Sequence, residues 1–278
     1  MVATSAPRAR TTAASTRSPV FLKKRSKRAH ITRRRGRASP KVLQELTKIV
    51  LQYYRTHGRH ELPWRKTVDP YQILVSEVML QQTQVDRVVP KFSAFIERYP
   101  NADALAQAPL VDVLRLWQGL GYNRRAKYLW EASKRWGGVL EELPGVGPYT
   151  ANAVRVFAHN EPRVLIETNI RAVYLHHLFP RRDTVADAEI IPHIRVPRGV
   201  QPRVWYAALM DYGSHLKKSI PNPSRRSRHH ARQKPFKGSD REIRGALVRA
   251  ALTGSKVTGF PARRVRAIRK ALRAEGLI

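Results

Sequence analysis

The stretch LPGVGPYTANAV, Leu143 to Val154, restricts the possible folds more than any other part of the chain. Gly145 and Gly147 flank a single apolar residue, Val146. Glycine permits a tight turn and lets another backbone come close. Apolar residues at helical spacing follow, so the pattern predicts a turn feeding a helix that starts near Pro148 or Tyr149. A helix N-terminus carries unpaired backbone N–H groups and the positive end of the helix dipole. A glycine turn set against such an end forms a seat for a phosphate group.

The flanking sequence also reads as helices. VLQELTKIVLQYYRTHG has helical apolar spacing and a glycine stop at Gly58. ELPWRKTVDPY is a loop marked by Pro63 and Pro70. A long helical stretch runs from about Pro70 to Tyr99, with a break expected near Pro90. One or two helices end at Gly119 and Gly121, and NRRAKYLWEASKRWGG, TNIRAVYLHHLF and RVWYAALMDYGSHL add three more. No convincing strand alternation interrupts this core region, so the fold class is all-α. From about Pro221 the chain is basic and irregular, and two short helical patterns close it. Leu247, Val248, Val265, Ile268 and Leu272 suit a small core there. A helix-turn-helix accessory unit and a loosely docked amphipathic tail fit that pattern equally well.

Charge narrows the partners. The chain has 53 Lys and Arg against 20 Asp and Glu, a formal net charge of +33. Such a surface suits a polyanion, and nucleic acid is the commonest one. No run of apolar residues is long enough to span a membrane. Residues 1–39 hold no acidic residue and include KKRSKR and RRRGR, which predicts a disordered basic tail or an organelle transit peptide. No apolar core of a secretory signal is present, so the expectation is a protein that is not secreted. It would act in the cytoplasm or nucleoid of a prokaryote, or in the nucleus or an organelle of a eukaryote. The chain has no cysteine, which removes disulfides, thiolate zinc sites and cysteine nucleophiles. His229 and His230 are adjacent but lack further ligands, so no metal site is expected.

The stretch ILVSEVMLQQTQV places a carboxylate, Glu77, inside an apolar run. Val75, Val78, Met79 and Leu80 would shield it and raise its pKa, which suits a general acid near neutral pH. Gln81 lies one helical turn on and shares its face.

ELPWRKTVDPYQILVSEVMLQQTQV, LWQGLGYNRRAKYL, LPGVGPYTANAV, ETNIRAV and ALMDYG occur in an order that resembles the MutY-type adenine DNA glycosylases of the helix–hairpin–helix superfamily. The resemblance covers roughly Pro40 to His215. It implies a two-lobed helical core with the active site between the lobes. A terminal lobe would be formed by residues 40–68 and 167–222, and a helical-barrel lobe by 69–166. Residues 223–278 would form a basic linker and a small helical extension. The first hairpin helix is expected to shrink to about one turn, because only VLEE separates Gly138 from Leu143.

The resemblance also implies roles. Glu77 would protonate a flipped base. Glu167 would stabilise the positive charge that develops on the deoxyribose, and a carboxylate at a helix start is kept ionised by the dipole. Tyr149 stands where bifunctional relatives carry the lysine that forms a Schiff base, so the enzyme would be monofunctional. Gln81, Gln82, Thr83 and Tyr122 would enter the base stack. Trp64 and Arg65 would flank the base pocket, and Asn169 would sit beside the second carboxylate. The partner would be double-stranded DNA carrying a mismatched or damaged base.

Several positions depart from the family. Glu167 replaces an aspartate, Asn123 replaces a second tyrosine, and Ala207 replaces a polar residue that contacts the base. The four cysteines of the family's iron–sulfur cluster are missing, so no cofactor is expected. No Nudix-like β domain follows the core in this sequence. The leading substrate is adenine opposite guanine or 8-oxoguanine. Thymine or uracil opposite guanine is the alternative, and a non-catalytic DNA-binding protein on a degenerate core is a third reading.

Overall fold

The computed structural model describes residues 38–233 and 235–278, so the expectations for the basic tail lie almost wholly outside the described residues. Twelve α-helices occur among these residues: α1 Pro40–His57, α2 Pro70–Leu80, α3 Val85–Arg98, α4 Ala102–Gln107, α5 Leu110–Trp117, α6 Arg124–Ser133, α7 Pro148–His159, α8 Thr168–His177, α9 Asp187–Ile190, α10 Pro202–Ser219, α11 Asp240–Thr253 and α12 Ala262–Ala274. Among the described residues there is no strand, only an isolated bridge between Val185 and Ser227. The fold is all-α, as the missing alternation predicted.

Two hydrophobic cores organise the chain. The first draws on α2 to α7 and includes Leu74, Met79, Phe95, Leu105 and Trp117. The second draws on α1, α8 and α10 and includes Val50, Ile170, Tyr174, Trp205 and Leu209. Helix α7 serves both. Its Ala151 and Val154 face the first core, while Ala153 and Val156 face the second. The space between the cores is therefore lined by α7 and by whatever packs on it.

Helix α2 packs along α7 and is apolar nearly all round, with Tyr71, Ile73, Leu74, Val75, Val78 and Met79 buried. Such a helix has to lie inside a protein. Asp69 starts it by accepting from the Tyr71 N–H at 2.8 Å. The break in the long helical stretch falls at Gln81–Gln84, and Pro90 lies inside α3. Gln82 adopts a left-handed φ of 56°, which ends a helix more firmly than a proline near the start of the next one.

The C-terminal helices do not form a separate unit. Ile243, Leu247, Val248, Leu272 and Leu277 are buried and join the first core, so α11 and α12 are integral to that lobe. The hairpin's first helix is reduced to a 3₁₀ turn, Leu140–Glu142.

Candidate active site

The turn at Gly145 to Gly147 forms ahead of a helix, as the sequence indicates. Leu143 and Val146 are buried and anchor it. Gly145 has φ of 76°, and a side chain there would meet Tyr128 at 2.8 Å. Glycine is required at that point by both conformation and space. Gly147 is different: an added Cβ would meet no atom within 4 Å, so its face is open. Gly147 sits immediately before α7, which begins at Pro148 without a side-chain cap. Of the turn's N–H groups, that of Val146 bonds back to Leu143 O at 3.0 Å. The uncapped start of α7 leaves its first N–H groups facing outward.

Helix α2 carries Glu77 to the wall of a cavity of about 140 Å³. The walls include Trp64 and Arg65, Ile73 and Leu80 of α2, Phe157 of α7, and Ala207 and Met210 of α10. Most of this surface is apolar. Glu77 is half-buried and lines this cavity. No donor among the described residues bonds to its carboxyl. Burial first, and the charge of Glu167 second, push its pKa up to about 7. Glu77 therefore carries a proton over much of the neutral range.

Glu167 lies at the start of α8 with extended backbone, φ −137° and ψ −178°. Its Oε1 accepts the N–H groups of Asn169 at 2.8 Å and Ile170 at 2.9 Å. Its Oε2 accepts Nδ2 of Asn169 at 3.1 Å. The longer side chain thus still caps the helix. Close packing fixes the position: a Cβ on Gly213 would lie 2.1 Å from Asn169 O, so α10 presses directly on the first turn of α8. The expectation of a carboxylate held ionised by the dipole needs one correction. Burial raises the pKa of Glu167, against the pull of the two backbone N–H groups, Lys217 and Arg171. Of the pair, Glu77 has no donors and Glu167 has three, which favours the proton on Glu77 and the charge on Glu167.

Tyr149, on the first turn of α7, is raised well above its ordinary pKa by burial and by the charges of Glu77 and Glu167. It remains a neutral phenol beside both carboxyls. Arg65 is occupied on its inner side: its Nη1 and Nη2 bond Asp211 at 2.6 and 2.8 Å. Burial alone would raise Asp211, but Arg65 and Arg59 hold it below the usual range. Asp211 is thus a structural anchor for the Trp64–Arg65 segment. Trp64 meets Phe92 edge-on, with ring centroids 5.6 Å apart.

Gln81, Gln82, Thr83 and Tyr122 form a second group at the end of α2. Tyr122 is exposed and, like Gln82, left-handed, with φ of 49°. Sequence reasoning missed the residue that builds this group, Arg125. Its guanidinium donates to Val78 O, Met79 O, Gln81 O, Thr83 Oγ1, Leu120 O and Gly121 O, at 2.6 to 3.1 Å. It also lies 5.5 Å from the Tyr122 ring. One buried cation thus closes the C-terminus of α2 and ties it to the 119–122 loop. Lys217 and Arg171, which place positive charge near Glu167, were likewise not singled out by the sequence.

No group of three or more His, Asp or Glu suited to a metal occurs among the described residues. After α10, where the family carries its cluster cysteines, Arg226 instead donates to Leu175 O at 2.7 Å and Arg182 O at 3.0 Å. Ser224 and Ser227 are buried beside it. This segment supplies no thiolate, so the residues present do not fit an iron–sulfur cluster.

The chain is 41% identical over 180 residues to an adenine DNA glycosylase of Mycolicibacterium smegmatis, covering 59% of this chain and 61% of that one. The chain thus spans about three fifths of the length of this curated relative. It is 35% identical over 178 residues to a thymine-DNA glycosylase of Aeropyrum pernix, covering 60% of this chain and 75% of that one. The structure superposes on that of a thermostable thymine-DNA glycosylase with a TM-score of 0.53 and 25% identity, covering 63% of this chain and 87% of that one. Residues 75–256 match the family described as HhH-GPD superfamily base excision DNA repair protein, which is well over half of the sequence. This chain therefore belongs to the HhH-GPD superfamily of base excision DNA repair proteins.

Proposed function

We propose that this protein is a monofunctional DNA glycosylase that hydrolyses the N-glycosidic bond of a mismatched base flipped out of duplex DNA. The observation that carries this reading is Glu77. A protonated carboxyl with no protein hydrogen bond, on the wall of an apolar cavity, is poised to give its proton to a ligand. In the reaction, Glu77 protonates the base as the C1′–N bond breaks and the bonding electrons leave with the base. Positive charge develops on the sugar. Glu167, negative and fixed by three hydrogen bonds, stabilises it. Water then adds to C1′ and its proton returns to Glu77. One carboxyl neutral and one charged is the division of labour that such bond cleavage requires.

Tyr149 supports the monofunctional part. A buried neutral phenol forms no Schiff base, so an abasic site is the product and strand breaks need added alkali. The uncapped α7 N-terminus and the net charge of +33 support binding to the phosphate backbone. The reaction needs no metal or cluster in this reading, which metal analysis and visible absorbance of the purified protein would test.

Adenine opposite guanine or 8-oxoguanine is the leading substrate, favoured by the SEVMLQQT run and the adenine-glycosylase relative. Thymine or uracil opposite guanine is the second reading. Ala207 favours it, because this position on the cavity wall offers no hydrogen bond to a purine. The thymine-DNA glycosylase relative is also matched over more of its length. The deciding experiment incubates the protein with labelled duplexes holding A:8-oxoguanine, A:G, T:G or U:G, followed by alkali. Release from one duplex, with breaks only after alkali, names the substrate. No release from any bound duplex would leave a non-catalytic DNA-binding protein.

A further inference from the structure

The basic segment after α10 does more than link two helices. At one end it is fastened to the second core: Val185 N donates to Arg226 O and Arg228 N donates to Val185 O, both at 2.9 Å. At the other end it enters α11, whose Ile243 and Leu247 belong to the first core. Between these two anchors, Gln233 lies against the loops carrying Gln82 and Tyr122. Nε2 of Gln233 donates to Gln82 Oε1 at 3.1 Å and also to the Tyr122 hydroxyl. Arg241 donates to the same hydroxyl at 3.3 Å. Gln233 thus stands with the two left-handed residues that resemble the family's wedge, although it comes from a distant segment.

Its chemistry is directional. A carboxamide has two N–H donors and one carbonyl acceptor. Both hydrogen bonds of the carboxamide run through Nε2, so Oε1 has no partner among the described residues and is available to accept. Once a base has been flipped, its former partner is left in the stack with an unsatisfied pairing edge. That edge of guanine offers two adjacent donors, N1–H and N2–H. Adenine, thymine and cytosine each offer one donor beside an acceptor. An unpartnered carbonyl oxygen with two lone pairs complements guanine best. Both substrate readings above place guanine opposite the excised base.

We propose that Gln233 reads the orphaned guanine opposite the excised base, with Oε1 accepting from N1–H and N2–H. This rests on the glycosylase reading. The test is binding of the full chain to duplexes holding a tetrahydrofuran abasic analogue opposite guanine, inosine, adenine or a second abasic analogue. Inosine lacks the N2 amino group and removes one of the two donors. The wild type should bind the guanine duplex about tenfold more tightly than the adenine duplex, with inosine between them. Gln233→Leu should abolish that ranking while binding the doubly abasic duplex within about twofold of wild type. A guanine preference that survives in Gln233→Leu overturns the inference, as does an equal loss on all four duplexes, which would mean that Gln233 only steadies Tyr122. A wild type that binds these duplexes no more tightly than a fully paired one overturns the glycosylase reading itself.

Discussion

Glu77 and Glu167 are the same side chain in two different settings. Both are half-buried, and burial raises the pKa of each. Glu77 lies in the last turn of an apolar helix, where N–H groups are already used by the helix and the neighbours are hydrocarbon. Glu167 lies just before the first turn of another, where N–H groups are free and point at it. A helix end thus decides which carboxyl keeps its proton. The pair teaches that position on a helix can assign acid and anion without any difference in residue type.

The largest test of this division removes the proton donor. Glu77→Gln should lower base release by about 10³-fold, because general acid catalysis typically contributes 10² to 10⁴. Duplex binding should persist, since the phosphate seat lies elsewhere. Equal loss of binding and release would mean that Glu77 organises the cavity and does not act as the acid. Next in size is Glu167→Gln. The amide oxygen can still cap Asn169 and Ile170, so folding should be retained, but the negative charge is gone. A loss of about 10²-fold is expected for a single electrostatic contact to the developing charge. Glu167→Asp should retain activity if the shorter group still reaches the sugar. A Glu167→Gln variant with wild-type turnover would reduce this residue to a helix cap.

The sequence made much of this pair legible, and for physical reasons. A carboxylate among Val75, Val78 and Met79 departs from helical amphipathicity, so Glu77 stood out. The turn at Gly145 to Gly147 is local, and local geometry is written in adjacent residues. Arg125 was not legible. It is one of many arginines in a basic chain, and four of its six acceptors lie on residues 78–83, which meet it only in the folded state. The same is true of Gln233, whose partners lie 151 and 111 residues away. The break at Gln82 was misplaced to Pro90 because proline is the more conspicuous breaker, while a left-handed glutamine leaves no mark in composition. The accessory reading of α11 and α12 failed for a related reason: an amphipathic pattern shows that a face is buried, but not against what.

A pH profile sharpens the comparison further. Glu77 must be protonated to act, and its pKa is pushed up to about 7. Base release measured under single-turnover conditions should therefore be flat at mildly acidic pH and fall about tenfold per unit well above pH 7. Below that plateau, protonation of Glu167 should bring a second decline, because its anion is the working form. A rate that keeps rising through pH 8 would exclude Glu77 as the acid.

The smallest effect expected is on stability, and at pH 5 it separates the two carboxyls. In the unfolded chain Glu77 has an ordinary carboxyl pKa, and folding raises it to about 7. Between those values the folded state binds more protons than the unfolded state, so stability falls as pH rises through this window. Each pKa unit corresponds to about 1.4 kcal/mol, and the opening of the cavity to solvent reduces the effect. Glu77→Gln removes the titration and should make the protein more stable than wild type at pH 8, by on the order of 1 to 2 kcal/mol. At pH 5 the two should be nearly equal. Glu167→Ala should destabilise at pH 5, because it loses a cap worth about 1 kcal/mol, while at pH 8 relief of its own raised pKa offsets part of that loss. Denaturant melts at the two pH values are sufficient. If Glu77→Gln were destabilising at pH 8, Glu77 would be making favourable charged contacts in the folded protein, and the division between the two helix ends would not hold.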